Sequence, residues 1–170
     1  MASSGYIVTS AHVIQNANTI FGHFNNGSKH ELKVVTVDLN NDLALLRPKN
    51  SIKLPSGLSL SSEDADKGES VFTIGYPHTD ILGSNPKVTD GIISSKTGLQ
   101  DDPRLYQITV PLQSGNSGGP LLSMNGKVVG VTASKIDAVR VFQYTGDLPG
   151  AFDKCKKVVS PGLRSSVSAC

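Results

Sequence analysis

Short apolar runs with a period of two dominate this chain. They fall at residues 6–10, 19–24, 31–38, 43–48, 70–74, 87–95, 105–109, 120–123 and 127–133, and they are rich in Val, Ile, Thr, Tyr and Phe. That length and composition predict β-strands. No segment sustains a helical period, and residues 12–15 suffice for a single helical turn. Turn clusters separate the runs: Asn25-Asn26-Gly27-Ser28, Asn40-Asn41, Gly75-Tyr76-Pro77 and Met124-Asn125-Gly126. Asn26-Gly27 and Asn125-Gly126 sit between apolar runs, which predicts two hairpins with type I′ turns. Residues 53–67 break the alternation with Ser, Pro and acidic residues and read as a connection. The expected organisation is a first β lobe over 1–52, the connection over 53–67, a second β lobe over 68–149 and a divergent, poorly ordered tail over 150–170. The pattern predicts an all-β fold but does not choose between a sandwich and a barrel.

Composition narrows the function classes. The chain has 170 residues and 38% hydrophobic content, within the range of a globular fold. Residues 1–149 carry 12 Lys/Arg against 13 Asp/Glu, and residues 150–170 carry four against one. The small positive balance is confined to the tail, so no nucleic-acid-binding groove is expected. No run of 18 apolar residues occurs, which predicts no membrane-spanning helix. Cys155 and Cys170 are the two cysteines, both in the tail. A bridge between them and two free thiols are equally open readings. With four histidines and no cysteine before residue 155, no metal-ligand spacing is present, and no cofactor is expected.

Candidate chemistry concentrates in Gln113-Ser114-Gly115-Asn116-Ser117-Gly118-Gly119-Pro120-Leu121. A serine hydroxyl attacks an acyl group only with a base beside it and donors ready for the oxyanion. Glycines let backbone N–H groups approach a ligand closely. The run Tyr6-Ile7-Val8-Thr9-Ser10-Ala11 ends in His12, and Asp42 directly precedes the strand Leu43-Ala44-Leu45-Leu46. Each residue has a plainer reading: Ser117 as a tight turn, His12 as a buried histidine closing a strand, Asp42 as a turn aspartate with Asp38 as its rival. His23, His30 and His78 lie in no comparable segment. The order is His, Asp, Ser, with gaps of 30 and 75 residues. Chain order separates unrelated solutions of one chemistry, and this one is not the order of the α/β-hydrolases or subtilisin.

These three segments resemble a trypsin-like (chymotrypsin-fold) serine peptidase, and their short gaps resemble its HtrA/Deg branch. The resemblance runs from about Gly5 to Pro149. It implies two antiparallel β-barrels with the active site between them. The first lobe would carry His12 and Asp42, and the second Ser117. It also implies a serine endopeptidase acting on extended or unfolded polypeptide, with Gly115 and Ser117 supplying oxyanion N–H groups. Pro111, beside Val110 and Leu112, takes the place of the specificity-pocket floor, and without a carboxylate there an apolar P1 preference is expected. The strand holding Val131, Thr132 and Ala133 resembles the one that pairs with substrate backbone. Two departures stand out. Only Met1–Ser4 precede the first strand, where the family has a further strand, and no secretory leader is legible. After residue 149 the text no longer resembles the family's pocket-backing strand and C-terminal helix. The barrels are therefore expected to be incomplete at both chain ends, and a catalytically inactive peptide-binding β-barrel or a truncated protease fragment is the alternative reading.

Overall fold

The computed structural model describes residues 5–77 and 85–133 and the backbone of 153–157. Nine of its strands lie where alternation places them. They are β1 (Ile7–Ser10), β2 (Ile20–His23), β3 (Lys29–Asp38), β4 (Leu43–Pro48), β5 (Ser70–Gly75), β6 (Lys87–Ser95), β7 (Leu105–Ile108), β8 (Pro120–Ser123) and β9 (Val128–Thr132). A four-residue helix, α1 (Ala11–Ile14), follows β1 directly.

The strands form two antiparallel sheets. The first has the order β1-β4-β3-β2 and is open. Its β1 pairs Ile7 with Leu46 and Ser10 with Leu43. Ala11, Leu32, Ala44 and Leu46 form its core, with Ile7, Ile14 and Ile20 packed against them. The second sheet closes as a six-stranded barrel through β10 (Asp153–Lys157), in the order β10-β7-β6-β5-β8-β9. Its interior holds Val71, Ile93, Tyr106, Ile108, Val110, Leu112, Leu121 and Val129. The buried Tyr106 hydroxyl accepts the Ala65 N–H at 2.9 Å, which ties the connecting segment to the barrel. Leu58 and Leu60 of the same segment, with Phe72, pack on Leu122 and Val128.

Two expectations change here. The tail is not without structure at residues 153–157, where β10 pairs with β7 and β9 and closes the second barrel. Four of the five β10 residues, Asp153, Lys154, Lys156 and Lys157, are charged, so the segment has no apolar alternation to read in the sequence. The remainder of the tail, with Cys170, lies outside the described residues. The hairpins are also present, but not as type I′ turns. Only the glycine of each Asn-Gly pair takes positive φ, 79° at Gly27 and 73° at Gly126. Gly126 N–H donates to Ser123 O at 2.8 Å, and Ser123 N–H donates to Lys127 O at 2.9 Å. Phe24, Gly27 and Ser28 repeat this arrangement. It is the three-residue hairpin loop, in which a left-handed glycine forms a bulge.

Candidate active site

The site begins with a capping problem. A helix as short as α1 leaves its first N–H groups without intrahelical acceptors. Its N-cap residue, Ser10, makes no side-chain cap. Instead the completely buried Ser10 donates its hydroxyl to Thr132 O on β9 at 3.3 Å. The cap comes from Asp42, the residue just before β4. Asp42 O accepts Ala11 N–H at 2.9 Å, and Asp42 Oδ1 accepts His12 N–H at 2.7 Å.

The other carboxylate oxygen, Oδ2, lies 2.8 Å from His12 Nδ1. A carboxylate only accepts, so Nδ1 carries the proton and Nε2 presents its lone pair. One side chain thus fixes the helix start and the imidazole together. Asp42 does this with φ of 48°, a left-handed conformation that Asp tolerates better than most residues. Its rival Asp38 is engaged elsewhere: its Oδ1 accepts Asn41 N–H at 3.0 Å and its Oδ2 accepts the Asn41 amide at 2.6 Å. The Asn41 side chain is the first cause holding the Asp38 carboxyl below its ordinary value, with Arg104 a smaller one.

The Ser117 turn is built from the barrel. Asn116 N–H donates to Gln113 O and Gly119 N–H donates to Asn116 O, each at 3.0 Å. Gly118 N–H donates to Thr132 O at 2.8 Å, and Thr132 N–H returns to Gly119 O at 2.9 Å. The buried Thr132 hydroxyl donates to both Asn116 O and Gly119 O. Gly115, at φ of 102°, lies so close to the opposite backbone that a Cβ would come 2.5 Å from Tyr76 O and 3.0 Å from Pro77 Cα. Gly118 lies against Thr9 and Ser10, and a Cβ there would fall 2.8 Å from Ser10 N. The serine turn therefore packs on the strand end that delivers His12. Among the described residues, the N–H groups of Gly115 and Ser117 donate to nothing, and no hydrogen bond joins Ser117 Oγ to His12.

The residues expected around the specificity pocket differ in burial. Val110 and Leu112 point into the barrel core, at 0% and 3% exposure, so they do not line a surface pocket. Pro111 is exposed between them, and its carbonyl accepts the Thr89 hydroxyl at 3.2 Å. Val131 and Thr132 are buried, and β9 is flanked by β8 and β10 there, so both its edges are already occupied. They serve barrel packing, and Thr132 also serves as the fastener of the serine turn. Ala133, 7% exposed, is the first residue past the paired ladder. Sequence reasoning missed that fastening role. The one signal for it was a lone threonine inside an otherwise apolar strand. Among the described residues there is no cluster of metal-ligating side chains.

Comparison with known proteins agrees with this architecture. Residues 1–131 match the trypsin-like peptidase domain family. A probable periplasmic serine endoprotease, DegP-like, from Pseudomonas putida is 37% identical over 88% of the chain and 30% of its own length. Serine protease HTRA1 from Xenopus tropicalis is 33% identical over 86% of the chain and 33% of its own length. The crystal structure of the serine endoprotease from Yersinia pestis superimposes with a TM-score of 0.70 at 28% identity, covering 92% of the chain and 51% of that structure. The chain spans about a third of the length of these curated relatives.

Proposed function

The chain belongs to the trypsin-like peptidase domain family, in its HtrA-type branch, and on that premise we propose that it is a serine endopeptidase acting on extended or unfolded polypeptide. The observation that carries the reading is the double engagement of Asp42, which holds both the backbone and the ring of His12 while the Ser117 turn packs alongside.

The proposed chemistry uses this chain's own groups. Ser117 Oγ attacks the peptide carbonyl and forms a C–O bond as its proton passes to His12 Nε2. The developing oxyanion accepts the unspent N–H groups of Gly115 and Ser117. Collapse breaks the C–N bond, and the imidazolium gives its proton to the leaving amine. Water then enters by the same route in reverse and releases the acyl group. Asp42 stays ionised and stabilises the imidazolium. Catalytic hydrogen bonds commonly tighten only when substrate is bound, so the absence of a Ser117–His12 bond fits this sequence of steps. Substrate pairing with the β9 strand would begin at Ala133, because the residues before it are paired on both sides. Exposed Pro111, with no carboxylate near it in sequence, supports an apolar P1 preference.

The test is hydrolysis of an unfolded, reduced protein substrate. Wild-type protein should cleave it, preferring bonds after aliphatic residues. Ser117→Ala should fold with the same melting midpoint and cleave nothing. Equal cleavage by the two proteins would refute the assignment.

A further inference from the structure

We propose that Arg104 is a positioning residue for the catalytic aspartate, tying the turn that carries Asp42 to the barrel that carries Ser117. The proposal rests on the peptidase reading for its kinetic consequence, but its structural content stands independently.

Arg104 lies on the barrel, immediately before β7. Its Nε and Nη2 donate to Asp102 Oδ1 and Oδ2 at 2.9 and 2.8 Å, and its backbone N–H donates to Asp102 Oδ1 at 2.9 Å. This bidentate grip sets the plane of the guanidinium against the carboxylate. The remaining arm, Nη1, donates to Asn40 O at 3.1 Å, 64 residues earlier in the chain and on the other sheet.

Asn40 belongs to the turn over residues 38–42. Asp38 closes that turn through Asn41, and Asp42 N–H donates to Leu39 O at 3.3 Å. The turn must hold Asp42 at a positive φ while its carboxylate and carbonyl reach Ala11 and His12. Hydrogen bonds therefore lead from Asp102 through Arg104 to Asn40, the backbone of the turn continues to Asp42, and Asp42 holds His12.

Arg104 is more than half exposed, at 56%, so its ion pair adds little to global stability. Its effect is instead on placement. The first sheet is open and touches the barrel through β1, where Ser10 meets Thr132. Arg104 supplies a second tie, at the turn that carries Asp42. A displacement of about 1 Å at a catalytic group costs on the order of 10²-fold in rate.

The experiment pairs fluorophosphonate labelling of Ser117 with amide hydrogen exchange in the full chain. Arg104→Met removes every side-chain donor while keeping most of the side chain's length. It should slow labelling roughly ten- to hundredfold and accelerate exchange at the Ala11 and His12 amides. Amides in β5 and β8 and the melting midpoint should stay near wild type. Arg104→Lys, a point charge unable to hold Asp102 and Asn40 together, should fall between. Wild-type exchange at Ala11 and His12 in Arg104→Met would overturn the proposal. So would acceleration spread evenly over β5 and β8, which marks general loosening. If wild-type protein takes no label, the peptidase reading fails, and exchange at Ala11 and His12 still decides the positioning role.

Discussion

Replacing Gly118 by Ala probes the seam between the two sheets at one atom. Gly118 has φ of 84° and sits beside Ser117. An added Cβ meets the Thr9 side chain, Ser10 N at 2.8 Å and Thr9 Cα at 3.2 Å. Two of these are backbone atoms of β1, fixed by pairing with β4, and they cannot step aside as a flexible side chain would. The left-handed backbone alone costs an alanine about 1–2 kcal/mol, and overpacking adds about 1–3 kcal/mol. The expected destabilisation is therefore about 2–5 kcal/mol. Gly126→Ala is the internal control. Gly126 has nearly the same backbone, φ of 73°, with nothing within 4 Å of the added atom. It should lose only the backbone part, about 1–2 kcal/mol. Urea unfolding of both variants, with matching slopes, isolates the seam term as their difference. Gly118→Ala should also lose labelling of Ser117, while Gly126→Ala keeps it. Equal midpoints for the two variants would show that β1 and the serine turn are not in the contact described here.

Three further outcomes follow from the same contacts. Asp42→Asn should lower kcat by about 10⁴ with the fold intact, because an amide facing Nδ1 selects the wrong imidazole tautomer; peptide hydrolysis set against a thermal melt checks it. Thr132→Val removes a buried hydroxyl from Asn116 O and Gly119 O and should cost about 1–3 kcal/mol, measured by urea unfolding, with slower labelling of Ser117. The depressed Asp38 carboxyl contributes stability that is fully present above its unfolded value of 3.8 and is lost as pH falls through its lower folded value. Asp38→Asn should therefore flatten the acid side of the melting-midpoint curve below that pH and slightly lower the neutral side, where the carboxylate's contribution is present in wild type.

The sequence made much of this legible, and the reasons differ by residue. Apolar runs exposed nine strands, and strands such as β1, β4 and β7 alternate because one face lies in a core, as Ala44 and Leu46 do in β4. His12 and Asp42 were legible as residue types at the ends of such strands. Their reach was not, because the cap that Asp42 gives α1 is a contact across 30 residues of chain. β10 was hidden because its residues, Asp153-Lys154-Cys155-Lys156-Lys157, are nearly all charged and show no apolar alternation. The inward turn of Val110 and Leu112 beside Pro111 was not legible, because position relative to Ser117 does not say which way a side chain points. Arg104 carried no signal at all: its tie to Asn40 depends on how the two sheets meet.

Mass spectrometry of the folded protein after reaction with a fluorophosphonate bears on the triad itself. One adduct per chain should form, mapped to Ser117, and it should be lost in Ser117→Ala and strongly slowed in His12→Ala. A well-folded chain that takes no adduct, or takes it at an equal rate without the imidazole, would contradict the assignment of these three side chains to one reaction.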